Sequence, residues 1–200
     1  MVGNTNETKY LVTVDQVSIN FPINKMGGMN TARQLDKELK LSEILGNSDD
    51  AKALNHYSEA IGYYDRQVKM MWNDKKKSQG LLLYFSATGF KAWQSLGELK
   101  GYDSNFMKLI KFMKDKKARF TRFDVAIDVI DNDLTVDQLH KQLQDKQVFI
   151  LDSLERKLSA KHQKFFGANK IVTGITCGAR SSDNFLRVYD KKIEQNKFDK

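Results

Sequence analysis

Proline and cysteine are almost missing from this chain of 200 residues, which has one of each, Pro22 and Cys177. A single thiol excludes an internal disulfide framework and suits a reducing compartment, so a cytoplasmic location is expected. A single proline excludes Pro-rich linkers. No apolar run approaches the ~20 residues that a helix needs to cross a bilayer. The opening stretch "MVGNTNETKY" has no apolar core of a signal peptide, so no membrane partner is expected. Histidine is scarce: His56, His140 and His162 are scattered, with no His-x-x-x-His pair and no Cys/His cluster for zinc. Neither Gly-x-x-x-x-Gly-Lys nor Gly-x-Gly-x-x-Gly occurs, which removes the common nucleotide loops.

Positive charge is what the chain has in excess. Lys and Arg number 33 against 25 Asp and Glu, a net +8. Such a balance favours a polyanion partner, nucleic acid first. Two stretches concentrate it, "KKK" at Lys75 to Lys77 and "KFMKDKKARFTR" from Lys111 to Arg122. Each suits phosphate contact, and each is equally compatible with a solvated face.

The pattern of elements is mixed. Tyr10 to Phe21 reads as a strand with a bulge near Asp15, or as two short strands. Thr31 to Leu45 has leucines at helical spacing and stops at Gly46. Tyr63 to Trp72 and Gly80 to Thr88 read as two strands around the turn "NDKKKSQG". A helix starts in "GFKAWQSLGEL", and a further one has Ser104 as its N-cap. Phe120 to Ile130 is the clearest strand. Thr135 opens a helix with a Thr-x-x-Gln capping box to Gln138. Helix is expected over 152–165, with Leu154 and Leu158 buried, and strand over Ile171 to Cys177 and Phe185 to Lys191. There is no regular βαβ alternation. The expected class is α+β, a mostly antiparallel sheet with helices packed mainly on one face. With no shift in composition, residues 1–200 are expected to form one domain.

Two strands place chemistry on one face. In "FTRFDVAIDVI" the odd positions Phe123, Val125, Ile127 and Val129 are apolar and expected in the core. Arg122, Asp124, Ala126 and Asp128 share the reverse face. Asp124 and Asp128 stand roughly 13 Å apart along a straight strand at ~3.3 Å per residue. One of them, with partners from a neighbouring strand, suits a hard cation such as Mg²⁺ or Mn²⁺. The alternative is that both pair with Arg or Lys on adjacent strands. In "FLRVYDKKIE", Arg187, Tyr189 and Lys191 share a face. Cations at i−2 and i+2 favour the phenolate and would hold a phosphate beside the ring oxygen. Phosphoryl transfer to a tyrosine needs that arrangement. A tyrosine that merely packs on a half-buried sheet has the same sequence signature.

"RFDVAIDV" followed by "GARSSDNFLRVYDKKIE", with "YYDRQVKMMW" and "LLLYFSATGF" upstream, resembles the Rep_trans type of rolling-circle plasmid replication initiators. The resemblance runs from about Tyr63 onward. It implies a DNA nicking-closing transesterase that cuts one strand at the double-strand origin. The tyrosine, Tyr189 here, joins the 5′ phosphate and frees a 3′ hydroxyl primer. It further implies Mg²⁺ or Mn²⁺ without a histidine metal motif, and so carboxylate ligands: Asp124 first, then Asp128 and Glu194. Arg187 and Lys191 would neutralise the phosphate, with Arg180 and Arg122 as further DNA contacts. Origin DNA, a superfamily-1 helicase and a second copy are the implied partners. Members of the family run longer, with a further Arg-x-Glu strand, so a catalytic domain incomplete at its C-terminus is expected. A relaxase of a conjugative element and a non-catalytic DNA-binding remnant are the alternatives.

Overall fold

The computed structural model describes residues 9–54, 56–130, 134–151, 157, 163–168, 171–178 and 185–195. The fold is α+β, and the strand pairings described are antiparallel. Two compact units emerge, Tyr10–Asp128 and Val129–Lys200 with Met1–Lys9. Among the described residues no helix is long and apolar enough to cross a membrane.

The larger unit runs β1 (Lys9–Phe21), α1 (Gly28–Leu39), α2 (Leu41–Leu45), β2 (Asp49–Asp50), β3 (Glu59–Tyr63), β4 (Val68–Trp72), a 3-10 turn (Asp74–Gln79), β5 (Leu81–Phe85), α3 (Ala87–Leu99), α4 (Phe106–Asp115) and β6 (Arg119–Ile130). Its sheet has the order β2-β3-β4-β5-β1-β6. Period-two alternation decides the layers. Val17, Ile19 and Phe21 stand opposite Phe85, Leu83 and Leu81, and Val68 and Met70 continue the same rows. All are buried with Phe90 and Trp93 of α3, Leu35 and Leu39 of α1, and Leu109 of α4. Each such side chain contributes about 1.5–3 kcal/mol of burial.

Local chemistry sets the helix ends. Gly28 opens α1 because a Cβ there would lie 1.9 Å from Trp72 Cδ1. Its N–H donates to Asp74 Oδ1 at 2.8 Å, so the cap comes from a distant carboxylate. The expected single helix from Thr31 to Leu45 is broken at Lys40, which has φ 57°. Asp36 Oδ1 then accepts from Ser42 N at 2.7 Å and starts α2. Asn105, not Ser104, caps α4, accepting from Lys108 N at 2.9 Å. Ser104 is buried and donates to the Gln94 carbonyl. The stretch from Tyr63 to Trp72 is not one strand: it holds the end of β3, a turn and β4.

Two expectations fail here, two short strands in place of β1 and a core position for the apolar face of β6. β1 is continuous through Asp15. The apolar face of β6 is not core: Val125 is 48% and Ile127 62% exposed, while Asp124, Ala126 and Asp128 are half-buried. Phe106 of α4 stacks on Phe123 at 5.2 Å, which puts that apolar face on the helix side of the sheet. The paired rows of β1 and β5 span only Val17 to Phe21, so the first half of β1 lies beyond them, and Tyr10 and Val12 are exposed. Val14, in that half, is half-buried and packs against the same core as Val17.

The smaller unit holds α5 (Val136–Gln144), β7 (Gln163–Ala168), β8 (Ile171–Cys177), β9 (Leu186–Tyr189) and α6 (Lys191–Gln195), with sheet order β7-β8-β9. The expected capping box is present: Gln138 N donates to Thr135 Oγ1 at 3.2 Å and Thr135 N to Gln138 Oε1 at 2.8 Å. Val136, Ile175 and Cys177 form a small core with Leu139, Leu143 and Val188. Burial pushes the Cys177 thiol up, so it is a packing residue. Asp137 Oδ1 accepts from Val172 N at 3.0 Å and ties α5 to β8. The helix expected over 152–165 is corrected at its end, where residues 163–165 belong to β7, because Phe165 pairs with Ile175 of β8. Leu154 and Leu158 lie outside the described residues.

Candidate functional site

Tyr189 is the last residue of β9. Its register partner is Gly174, with Arg187 opposite Thr176. A strand presents i and i+2 on the same face, and the Arg187 guanidinium carbon lies 4.6 Å from the Tyr189 ring centroid. Arg187 is exposed and Tyr189 half-buried. A cation seated on the face of the ring fixes the ring's orientation.

Lys191 is not the third member of that face. The strand ends at Tyr189, and Lys191 is the first residue of α6. Asp190 causes the change: its N–H donates to the Thr173 carbonyl at 3.0 Å, and its Oδ1 accepts from Ile193 N at 3.1 Å. The sequence reading passed over Asp190, although an Asp before a run of good helix formers is a helix-start signal. Glu194 lies within α6. Arg180 lies outside the described residues.

Arg122, Asp124 and Asp128 lie on β6 in the other unit. Arg122 Nε donates to Asp124 Oδ1 at 3.0 Å and to Oδ2 at 2.9 Å, and Nη2 to Oδ2 at 2.6 Å. The carboxylate's hydrogen bonds hold the guanidinium's pKa above its ordinary value. Asp124 pairs with a cation on its own strand rather than on an adjacent one.

A divalent cation at Asp124 would have to displace this fork-on-fork pair. Asp128 is four residues on, roughly 13 Å away at ~3.3 Å rise per residue, too far to share an ion on a straight strand. Among the described residues no three His, Cys, Asp or Glu side chains gather as a metal-holding group. The described residues alone do not fit such a cation.

Comparison with known proteins places these residues. Residues 118–200 match the family Rep_trans, replication initiation factor. That segment contains all eight candidate residues: Arg122, Asp124, Asp128, Arg180, Arg187, Tyr189, Lys191 and Glu194. No curated protein matches the chain. Among solved structures, a rolling circle replication initiator protein from Geobacillus stearothermophilus matches with a TM-score of 0.68 and 16% identity, over 94% of this chain and 69% of that one. At such identity the likeness is one of fold. The chain is thus similar in sequence to the Rep_trans replication initiation factors over residues 118–200, and over most of its length it shares the fold of a rolling circle replication initiator protein.

Proposed function

We propose that the chain initiates rolling-circle replication of a plasmid by nicking one strand of its origin, with Tyr189 as nucleophile. The observation that carries this reading is the pairing of Arg187 with the Tyr189 ring inside the segment that matches replication initiation factors. The basic balance of the chain agrees with a DNA substrate. In the reaction the Tyr189 hydroxyl gives up its proton and its oxygen attacks the scissile phosphorus in line. The P–O3′ bond breaks, and the departing 3′ oxygen takes a proton. The products are a tyrosyl ester of the 5′ phosphate and a free 3′ hydroxyl, so one phosphodiester is exchanged for another and no oxidant or hydrolysis is needed.

Arg187 orients the phenol and adds positive charge at the phosphate. Lys191, at the start of α6, and Arg180 are proposed to hold the phosphate oxygens. The two compact units together would form the nicking domain, with Arg122 as a DNA contact. The resemblance implies Mg²⁺ or Mn²⁺ with Asp124, Asp128 and Glu194 as ligands, but Arg122 occupies both Asp124 oxygens, so the reaction is written through the side chains alone. Origin DNA is the proposed substrate, and a superfamily-1 helicase and a second copy are the proposed partners.

The test is incubation of the chain with Mn²⁺ and supercoiled plasmid carrying its origin, against Tyr189→Phe. A denaturation-resistant protein–DNA adduct formed by the unmutated chain and lost in Tyr189→Phe supports the proposal. Equal nicking by both overturns it. Origin binding without any adduct replaces it with the DNA-binding reading.

A further inference from the structure

The face of the six-stranded sheet opposite α1, α3 and α4 carries an open groove of about 660 Å³. Its floor is a row set by strand register: Lys69 on β4 and Ser18 on β1 stand directly opposite Tyr84 on β5, one on each side. Tyr84 is half-buried, so its phenol ring belongs to the sheet face but is still reachable from the groove. Leu82 and Met71, one pair further along, give the floor an apolar stretch.

Arg66 comes to the same groove by another route. The turn from β3 to β4 puts Tyr64, Asp65 and Arg66 all in the left-handed region, at φ 48°, 50° and 63°. Three such residues in a row cost of order 1–3 kcal/mol each and persist only when the surroundings hold them. Gly62 on β3 makes the space: a Cβ there would lie 2.9 Å from Arg66 Cγ. The arginine stem folds back across that bare position, and its Nε donates to the Asp50 carbonyl at 3.2 Å. Among the described residues the lining has three cations, Arg66, Lys69 and Arg122, and no carboxylate. Arg122 is already engaged by Asp124, so Arg66 and Lys69 carry the uncommitted charge.

We propose that this groove holds one or two nucleotides of single-stranded DNA, a base lying on Tyr84 and the flanking phosphates on Lys69 and Arg66. The volume is in the range of small-ligand clefts, roughly 300–1,000 Å³, which is too small for a duplex. A duplex also hides its base faces, whereas a single strand offers every base to an aromatic platform and its backbone to flanking cations. The groove residues all belong to the Tyr10–Asp128 unit, and none of them is a residue of the proposed nicking step. The identity of the strand rests on the nicking proposal; the groove chemistry does not. The sequence reading missed it because Arg66, Lys69 and Tyr84 come from three separate positions, each an ordinary outward polar residue of a strand or turn.

The test is fluorescence anisotropy of the Tyr189→Phe chain with a labelled oligothymidine, so that no adduct interferes, alone and with Tyr84→Ala, Tyr84→Phe, Lys69→Ala or Arg66→Ala added. Tyr84→Ala should weaken binding roughly 5- to 150-fold, the range for one lost base stack, and Tyr84→Phe should retain most of it. Each cation removed should flatten the salt dependence by about 0.7 in the log–log slope, as for one phosphate on a single strand. A duplex of equal length should show no Tyr84 effect. Unchanged oligothymidine binding in Tyr84→Ala, or an equal loss in Tyr84→Ala and Tyr84→Phe, overturns the proposal, as does equal loss on duplex. Nicking by the unmutated chain with no groove effect sinks the groove alone. A groove effect with no Tyr189 adduct sinks the nicking reading alone.

Discussion

Arg122 holds both carboxylate oxygens of Asp124 from two residues back on the same strand. The pair is part-exposed, 57% at Arg122 and 33% at Asp124. Pairs of this kind contribute about 0–1 kcal/mol. Asp124→Asn should therefore lower the unfolding free energy by no more than about 1 kcal/mol in chemical denaturation. If Asp124 also serves a cation, the same variant should need more Mn²⁺ for half-maximal adduct formation. An unchanged Mn²⁺ requirement leaves Asp124 as a partner of Arg122 only.

The stack of Arg187 on Tyr189 separates orientation from charge. Arg187→Ala should slow single-turnover adduct formation at least tenfold, about 1.4 kcal/mol in the barrier. Arg187→Lys should recover only part of that, because an ammonium restores the charge but not the flat contact with the ring. Full recovery by lysine would make charge the whole effect and the stack incidental. Folding should be little altered in either variant, since an exposed cation–π contact is worth ~0.5–1 kcal/mol.

Gly28 bears on the core directly. In Gly28→Ala the new methyl meets Trp72 within 1.9 Å, and Trp72 is 2% exposed with nowhere to retreat. Overpacking of this kind costs typically ~1–3 kcal/mol, against the modest gain alanine usually brings to a helix. A clear fall in melting temperature is the expected result, and a rise would show that the indole can shift.

Asp137 supplies a pH dependence. Hydrogen bonds from Lys141, first, and from the Val172 N–H hold its carboxyl below the ordinary aspartate value. A folded-state pKa below the unfolded one stabilises above the unfolded value, about pH 4, and that stabilisation is lost as pH falls through the folded value. Asp137→Asn should therefore show less loss of melting temperature between pH 5 and pH 3 than the unmutated chain. An identical acid slope would mean that the pair forms no better in the folded state than in the unfolded one.

What was legible in the sequence was local. The Thr135–Gln138 box needs only four consecutive residues, and it is present as read. The α+β class followed from alternating stretches separated by helical ones, and the two faces of β6 were assigned correctly to opposite sides. Which side is buried was not legible, because it depends on how far the helices reach: α4 covers Phe123 with Phe106, and beyond that the apolar side chains of β6 are bare. Ser104 and Asn105 are both good caps, and the choice between them was made by α3, whose Gly97 leaves room for the Ser104 side chain. The candidate face of Tyr189 was read one residue too long, because Asp190 starts a helix where alternation alone continues a strand.

The uncovered half of β6 also governs how the chain behaves at concentration. Among the described residues β6 is the outermost strand of its sheet, with Val125 and Ile127 exposed. A long edge strand with bare β-branched side chains is a ready template for intermolecular pairing, and net positive charge opposes this only while salt is low. The chain's solubility should therefore fall as ionic strength rises. A single gatekeeper charge, Ile127→Lys, should lift that limit without touching the folded core.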